Sequence, residues 1–309
     1  MNKAGQIQVT TAQLSALVTV IDSGSFTEAA LELGLAQSSV SGLIGNLERL
    51  LNGRLLDRGR HGAVPTPLGE RVAVHARLVL RTLEDLQLEA SRDQRPEGTL
   101  RLIACRTAAR FLVMPTLARL RERHPQVQIE LRDTAGEHDE VEQVVLDGEA
   151  HLGFGRLPMA PNLHTRELLA DEFKLVLPAS WRVRTWADLR ARPLIVCSAD
   201  CAPYIAAHWA RQGEIFQPTW HIQDPSVILS MVREGLGYTV LSGLVLYPTP
   251  EEVELQPLPT PLWRPLGYVA RSELRHHPLI RAYTQILGDR AYLRQVTSTL
   301  ISLVRFPEA

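Results

Sequence analysis

The chain is poor in lysine. Lys3 and Lys174 are the only two among 33 basic residues, so arginine carries nearly all the positive charge. Arginine's planar fork suits bidentate contacts to carboxylates, phosphates and base edges. No excess of one sign is present, since the net charge is −1. That excludes a strongly basic, indiscriminate coat for nucleic acid. Cysteine is scarce too: three residues, an odd number, exclude a disulfide framework and fit a reducing cytoplasm. No apolar run is long enough to span a membrane. The opening MNKAGQIQVTTAQ lacks the apolar stretch of a secretory signal, so a cytoplasmic protein is expected. Nor is there a Walker loop, a GxGxxG fingerprint or a Ser/His/Asp arrangement. No catalytic residue, resident cofactor or metal is therefore expected. The acidic run Glu137-His138-Asp139-Glu140 reads as the first turn of a helix, where the helix dipole favours acids, not as a metal cluster.

What is present is an ordinary globular composition, 45% hydrophobic and 22% charged over 309 residues. At about 100–200 residues per domain, two or three folding units are expected. Ser25 to Arg49 is the most telling stretch. Ser25 with Glu28 three residues on is a capping-box arrangement, and Ala29, Ala30 and Leu33 line one face. Gly34 can end that helix. A second helix starts near Ala36 or Gln37, opens on Gln37, Ser38 and Ser39, and carries Val40, Leu43 or Ile44, and Leu47 as its apolar stripe. Small hydrogen-bonding residues at an exposed N-terminus, with apolar residues behind, suit entry into a DNA major groove. This is a helix-turn-helix.

A preceding helix runs from Thr10 or Thr11 to about Ser23. Residues 54–66 read as a wing with a glycine-rich basic tip. Over residues 1–66 Lys3, Arg49, Arg54, Arg58 and Arg60 balance Asp22, Glu28, Glu32, Glu48 and Asp57. Four of those five cations nevertheless fall between Arg49 and Arg60, where a wing meets phosphates. Pro67 opens an unbroken helix to about Arg92. Val72, Ala76, Val79, Leu83, Leu86 and Ala90 form an a/d seam along it over three heptads. Such a seam needs a partner, and the reading is dimerisation; packing on the chain's own domains is the alternative.

Residues 94–98 form a polar hinge. Beyond it strands and helices alternate, which implies a parallel sheet with crossover helices. Strands are expected at 99–104, 127–132, 151–154, 168–177, 194–198, 219–223, 238–242 and 263–271. Helices are expected at 107–123, 137–148, 203–212, 225–235, 278–287 and 291–305. The fold class is multidomain α+β. Its parts are a winged helix-turn-helix (1–66), a linker helix (67–93) and a hinge (94–98). Two Rossmann-like α/β subdomains of periplasmic-binding-protein type II kind (99–161 plus 267–290, and 162–266) and a C-terminal helix (291–309) follow.

The order and the motif Ser23–Glu70 resemble a LysR-type transcriptional regulator. Ser25-Phe26-Thr27 and Ala29-Ala30 match that family's second helix, and Gln37 to Ser41 the start of its recognition helix. Leu47-Glu48 matches its Leu-Glu pair, Leu55, Leu56 and Arg58 its wing, and Thr66 with Gly69 its linker entry. The weaker matches are Gly98 to Arg101, Pro115, Pro125 and Val232–Leu241. Departures are Gly42 where a basic residue is usual, Gly45, Leu56 for phenylalanine, and His151-Leu152-Gly153-Phe154 for an Asp-Leu-Ala-Ile type sequence. Each interior glycine costs a helix about 0.5–1 kcal/mol relative to alanine.

The DNA candidates are Ser25, Thr27, Gln37, Ser38, Ser39, Ser41, Asn46, Arg49, Arg58 and Arg60, with ordinary helix capping as the plain reading of the serines. The resemblance implies a dyad-symmetric double-stranded DNA site and a homodimer or homotetramer; RNA polymerase is a further partner it allows, and no membrane is involved. It also implies a small-molecule effector of unknown identity between the subdomains. Cys105, Arg106 and Thr107 lie where a strand feeds a helix, a ready anion site. By the resemblance Gly153, Phe154, Ser198, Asp200, Cys201, Asp224 and Ser226 also end at the cleft. Three rivals remain: a solute-binding protein without a DNA role, a regulator sensing oxidants through Cys197 and Cys201, and a regulator whose cleft is plugged by its own side chains such as Phe154.

Overall fold

Thr10 accepts from the Gln13 amide at 3.3 Å, and the Gln13 side chain accepts from the Thr10 amide at 2.9 Å. This reciprocal box starts helix α1 (Thr11–Ser23), which Gly24 ends in the left-handed region at φ 67°. The computed structural model describes residues 9–59, 62–90, 96–197 and 201–307, without the side chains of 58–59, 84–85 and 87–90. It divides into two units, Met1–Ser91 and Arg92–Ala309. Among the described residues no helix is long and apolar enough to cross a membrane.

In the first unit α2 (Phe26–Glu32) follows, with Ser25 Oγ accepting from the Glu28 amide at 3.4 Å. Helix α3 (Gln37–Leu50) comes next. The three helices bury Leu14, Leu17, Val20, Ala29, Ala30, Val40, Ile44 and Leu47 in one core. Burying a leucine or isoleucine in this way contributes about 1.5–3 kcal/mol each. Strands β1 (Leu56–Gly59) and β2 (Gly62–Pro65) pair antiparallel as the wing. Glu48 Oε1 accepts from the Leu55 and Leu56 amides at 2.8 and 3.3 Å, which fixes the wing to the end of α3. The Ala63 amide donates to the Gly24 carbonyl at 2.8 Å, tying the wing's return strand to the α1–α2 turn.

Thr66 joins the wing to helix α4 (Pro67–Ala90). Its Oγ1 donates to the Arg54 carbonyl at 2.7 Å and accepts from the Gly69 amide at 3.0 Å. Gly69 is required there, because a Cβ would lie 1.9 Å from the Leu55 carbonyl oxygen.

The α4 seam divides. Ala76 is 1% exposed, and Val72 packs beside it on the helix-turn-helix core. These two are therefore corrected from the dimer seam to intramolecular packing: the first three turns of α4 lie on the chain's own domain, and Arg77 pairs with Asp22 on α1. Val79, Leu83 and Leu86 remain exposed, Leu86 at 64%. The side chain of Ala90 lies outside the described residues.

The second unit begins with β3 (Gly98–Cys105), then α5 (Arg106–Ala108), which passes through a π-turn at Ala109–Val113 into α6 (Met114–Arg123). There follow β4 (Val127–Thr134), α7 (Asp139–Leu146), β5 (Leu152–Arg156) and β6 (Leu163–Pro178). Next come α8 (Trp186–Arg190), β7 (Leu194–Cys197), α9 (Cys201–Arg211), β8 (Trp220–Ile222) and α10 (Pro225–Arg233). The chain closes with β9 (Tyr238–Ser242), β10 (Val253–Pro257), β11 (Trp263–Arg271), α11 (Pro278–Gly288), α12 (Arg290–Val296) and β12 (Val304–Arg305).

The strand order is β4-β3-β5-β11-β6-β9-β7-β8, with β10 and β12 also paired to β6. The sheet is mixed: parallel within each subdomain, as the alternation of strands and helices implies, and antiparallel at β6 and at the return strand β11. Pairs β3·β4, β3·β5, β7·β9 and β7·β8 are parallel, while β11 and β6 run against their neighbours. Strand β6 crosses between the subdomains, and β11 begins at the crossing, after Leu262 in the second subdomain's core. The first half of β6 pairs with β11, and its second half with β9 and β10. Leu168 and Leu169 pack in the first subdomain's core and Phe173 in the second's. The expected boundary at 161/162 is corrected accordingly, into the middle of β6. The expected helix 291–305 is corrected too: α12 stops at Val296, and Leu293, Leu300 and Val304 enter the first subdomain's core because β12 adds to β6.

Arg264 on β11 stands opposite Asp171 on β6, and both are fully buried. Arg264 Nε and Nη2 donate to the two Asp171 oxygens, each at 2.8 Å.

Two substitutions probe these joints. Gly69→Ala should destabilise the N-terminal unit by about 1–3 kcal/mol through overpacking, seen as a lower melting midpoint in circular dichroism. Asp171→Ala strands a buried guanidinium and should cost about 3–5 kcal/mol; calorimetric unfolding unchanged from wild type would show that the pair contributes nothing to stability.

Candidate functional site

Two sites emerge, one in each unit. In the first, α3 begins after Ala36 with no side-chain cap on its N-terminus. Gln37, Ser38 and Ser39 are exposed, and Val40, Ile44 and Leu47 behind them are buried. The serines do not act as caps, so their hydroxyls and the Gln37 amide face outward. A helix end of this kind offers free N–H groups and a positive dipole to an anion. Ser41 is half-buried one turn in. Arg49 Nη2 donates to Asn46 Oδ1 on the exposed face, so these two present as a pair. Thr27 is exposed beside the α2 cap, and Ser25 combines capping with a hydroxyl hydrogen still able to donate. Arg58 belongs to β1, though its side chain is outside the described residues, as is Arg60 altogether. Gly42 and Gly45 leave open space: a Cβ at either meets nothing within 4 Å.

The second site lies between the two subdomains of the C-terminal unit. A cavity of about 60 Å³ is lined by Cys105, Arg106, Thr107, Glu137, Phe173, Cys197, Cys201, Gln223, Pro225 and Ser242, among others. All three cysteines of the chain meet there. Beneath it lies Arg264. Besides its fork on Asp171, Nη2 donates to Thr107 Oγ1 at 3.3 Å and Nη1 donates to Glu137 Oε1. Glu137 Oε2 also stands 3.9 Å from Arg156 Nε. Burial alone would lower the Arg264 pKa. The Asp171 and Glu137 charges outweigh it and hold the guanidinium well above its ordinary value. Burial and the Glu137 charge push the Cys105 thiol up, and the Cys201 thiol, which donates to Glu137, well up.

Cys105, Arg106, Thr107 and Cys201 thus line the cleft. Asp224 lies between the lining residues Gln223 and Pro225. It caps α10, accepting from the Ser226 amide and hydroxyl at 2.7 Å, and these bonds hold its carboxyl below the ordinary carboxylate range. Ser226 is exposed beside it. Ser198 and Asp200 lie outside the described residues. Gly153 and Phe154 are corrections. Phe154 is fully buried against Tyr268 and Tyr283, because its face of β5 turns into the core. Gly153 turns the other way under α7, where a Cβ would lie 2.7 Å from Val141 Cγ1. Neither lines the cleft, so Phe154 plugs nothing.

Besides Arg106, the site's charge sits on Glu137, Arg156, Asp171 and Arg264, and none of these four was among the expected cleft residues. Glu137 was expected in the first turn of α7, but that helix starts two residues later and releases it to Arg264. A signal existed: Asp171 interrupts the apolar run 168–177 and Arg264 sits in Trp263–Arg271, and an acid and an arginine inside two buried strands imply each other.

The family model described as "Bacterial regulatory helix-turn-helix protein, lysR family" matches residues 11–70, and that described as "LysR substrate binding domain" matches residues 93–291. The probable HTH-type transcriptional regulator LrrA of Synechococcus elongatus is 34% identical over 90% of this chain and 96% of its own length. The uncharacterized HTH-type transcriptional regulator YeiE of Escherichia coli is 28% identical over 91% and 97%. Among solved structures, full-length CbnR complexed with its target DNA aligns with a TM-score of 0.65 at 19% identity, over 91% of this chain and 99% of that one. An H2O2-bound mutant of Corynebacterium glutamicum OxyR aligns at 0.57 with 20% identity, over 98% and 99%. The two family models, which together cover most of the chain, and the match to LrrA make the chain a member of the LysR family of transcriptional regulators.

Proposed function

We propose that this regulator reads a dyad-symmetric promoter site as a homodimer or tetramer, and that a small molecule in the cleft of the C-terminal unit tunes that binding. The observation that carries the reading is the bare N-terminus of α3, with Gln37, Ser38 and Ser39 exposed and uncapped. Gln37 suits an adenine edge, and the serines suit bases or phosphates. Ser41 and Asn46 follow along the same helix. Ser25, Thr27, Arg49, Arg58 and Arg60 supply phosphate contacts, which position the protein without reading sequence. Val79, Leu83 and Leu86 give the second half of α4 an apolar surface for a second copy. A relative of similar fold, CbnR, has been solved on its target DNA, which supports this use of the N-terminal unit. A ligand that prefers one arrangement of the subdomains shifts the population between two states, and DNA affinity with it.

The test is an anisotropy titration with DNA from upstream of the protein's own gene, at two salt concentrations. Specific, salt-sensitive binding is expected. Gln37→Ala should weaken specific binding by about 1–3 kcal/mol with the salt slope unchanged, whereas Arg58→Ala should lower that slope by about one. Equal binding to scrambled DNA would defeat the reading.

Three cysteines around one cavity favour a second reading, a thiol switch. The direction of the pKa shifts opposes it, because the thiolate is the reactive form and burial withholds it at Cys105 and Cys201. A raised thiol pKa keeps the folded protein protonated at pH 8, and reactivity rises only as the pH climbs past that of a free cysteine. Native protein should therefore be alkylated by iodoacetamide at these two positions far more slowly than unfolded protein, and peroxide should leave DNA binding unchanged. Fast labelling of Cys201 at pH 8, read by mass spectrometry, would restore the switch.

A further inference from the structure

The cavity that Thr107 and Glu137, two partners of Arg264, help to line is small, about 60 Å³. Ligand sites are commonly about 300–1,000 Å³. The cleft is narrow here, and the acid that lines it is Glu137. The Arg264 fork is committed to Asp171 across β11 and β6. Its remaining edge, Nη1, turns to Glu137. Arg156 flanks the same carboxylate from β5. Cys201, from the other subdomain, lines the same cavity. Ser242 Oγ, on a residue 2% exposed, lines the same cavity with no hydrogen-bond partner among the described residues.

Charge decides what belongs there. Arg264 and Arg156 are balanced by Asp171 and Glu137. Taking Glu137 away leaves a buried, uncompensated positive charge, which only another anion relieves at low cost. Glu137 is also placed to leave: it precedes α7, so its side chain can turn out without unwinding a helical turn.

We propose that Glu137 is an internal ligand, holding on Arg264 the position that the carboxylate of a small acidic effector takes. Binding is then an exchange of one carboxylate for another, with the Cys201 thiol and the Ser242 hydroxyl as further donors. This rests on the cleft being the effector site. The exchange lowers apparent effector affinity by the fraction of molecules in which Glu137 is displaced. It also keeps the unliganded protein in one closed state.

The test uses full-length wild type and Glu137→Ala, titrated with sodium acetate against sodium chloride at matched ionic strength. Melting temperature and calorimetry are the readouts. The variant should melt lower than wild type, and acetate, not chloride, should raise its midpoint saturably. Half-saturation is expected at an acetate concentration at least about tenfold below any seen in wild type. Acetate acting on both proteins alike, or on neither, overturns the proposal. If Glu137→Ala does not fold, Glu137→Gln keeps the shape and removes the charge. A larger acetate response than wild type then supports the internal ligand, and an equal one overturns it. DNA anisotropy on the same samples separates the two readings. Acetate that binds Glu137→Ala without changing its DNA affinity supports the internal ligand and defeats the coupling of cleft to DNA. Absence of acetate binding defeats the internal ligand alone.

Discussion

The C-terminal unit depends on one cross-strand pair. Strand β6 runs through both subdomains and β11 enters the first directly after Leu262 in the core of the second, and Arg264 faces Asp171 at that crossing. A guanidinium with no access to water needs its donors satisfied, and the Asp171 fork, Thr107 and Glu137 do this. Asp171 Oδ2 in turn accepts from the Leu244 amide at 3.2 Å, so the pair also fixes the turn after β9. The crossing point is therefore both a structural joint and the floor of the cleft. Any movement of one subdomain against the other must reckon with the same few charges that a ligand would meet.

The N-terminal unit is built on a different principle. Its core is small and apolar, and its joints are backbone carbonyls received at close range: Gly24 by the wing, Leu55 over Gly69, Arg54 by Thr66. Glu48 is a structural acid here, with one carboxylate oxygen accepting from two wing amides. One of the domain's five acids is thus turned to the wing, and Arg49 beside it is left on the outer face.

Much of this was legible in the sequence. Capping residues, the glycine after each short helix and the period of the apolar stripe located α1 to α4 closely, because those signals are local. The alternation beyond residue 98 indicated the class of the second unit. What escaped was set by distant partners. Strand β10, in a proline-rich stretch, forms because β6 offers an edge to Val253–Pro257. The break after Val296 exists because Val304 and Arg305 add to β6. The α4 seam read as one surface, yet its first half is claimed by a core whose shape the periodicity does not describe. The cleft was located by Cys105 to Thr107 and Cys201 but not by its buried charges, since Glu137, Asp171 and Arg264 are far apart in the chain. Gly153 and Phe154 were misplaced for the simplest of reasons: both faces of β5 are covered, so reaching the right strand does not decide which residues meet the cavity.

The two open positions on α3 bear on how this protein's targets can change. On a crowded recognition helix a new contact must displace an old one. Gly42 and Gly45 have nothing within 4 Å of where a side chain would begin. Alanine at either would also relieve the helix of glycine's entropic burden. A regulator with such vacancies can acquire a longer side chain, and with it a preference at one more base pair, without repacking its core. The helix is a partly blank template, and divergence among its descendants is free to proceed by addition.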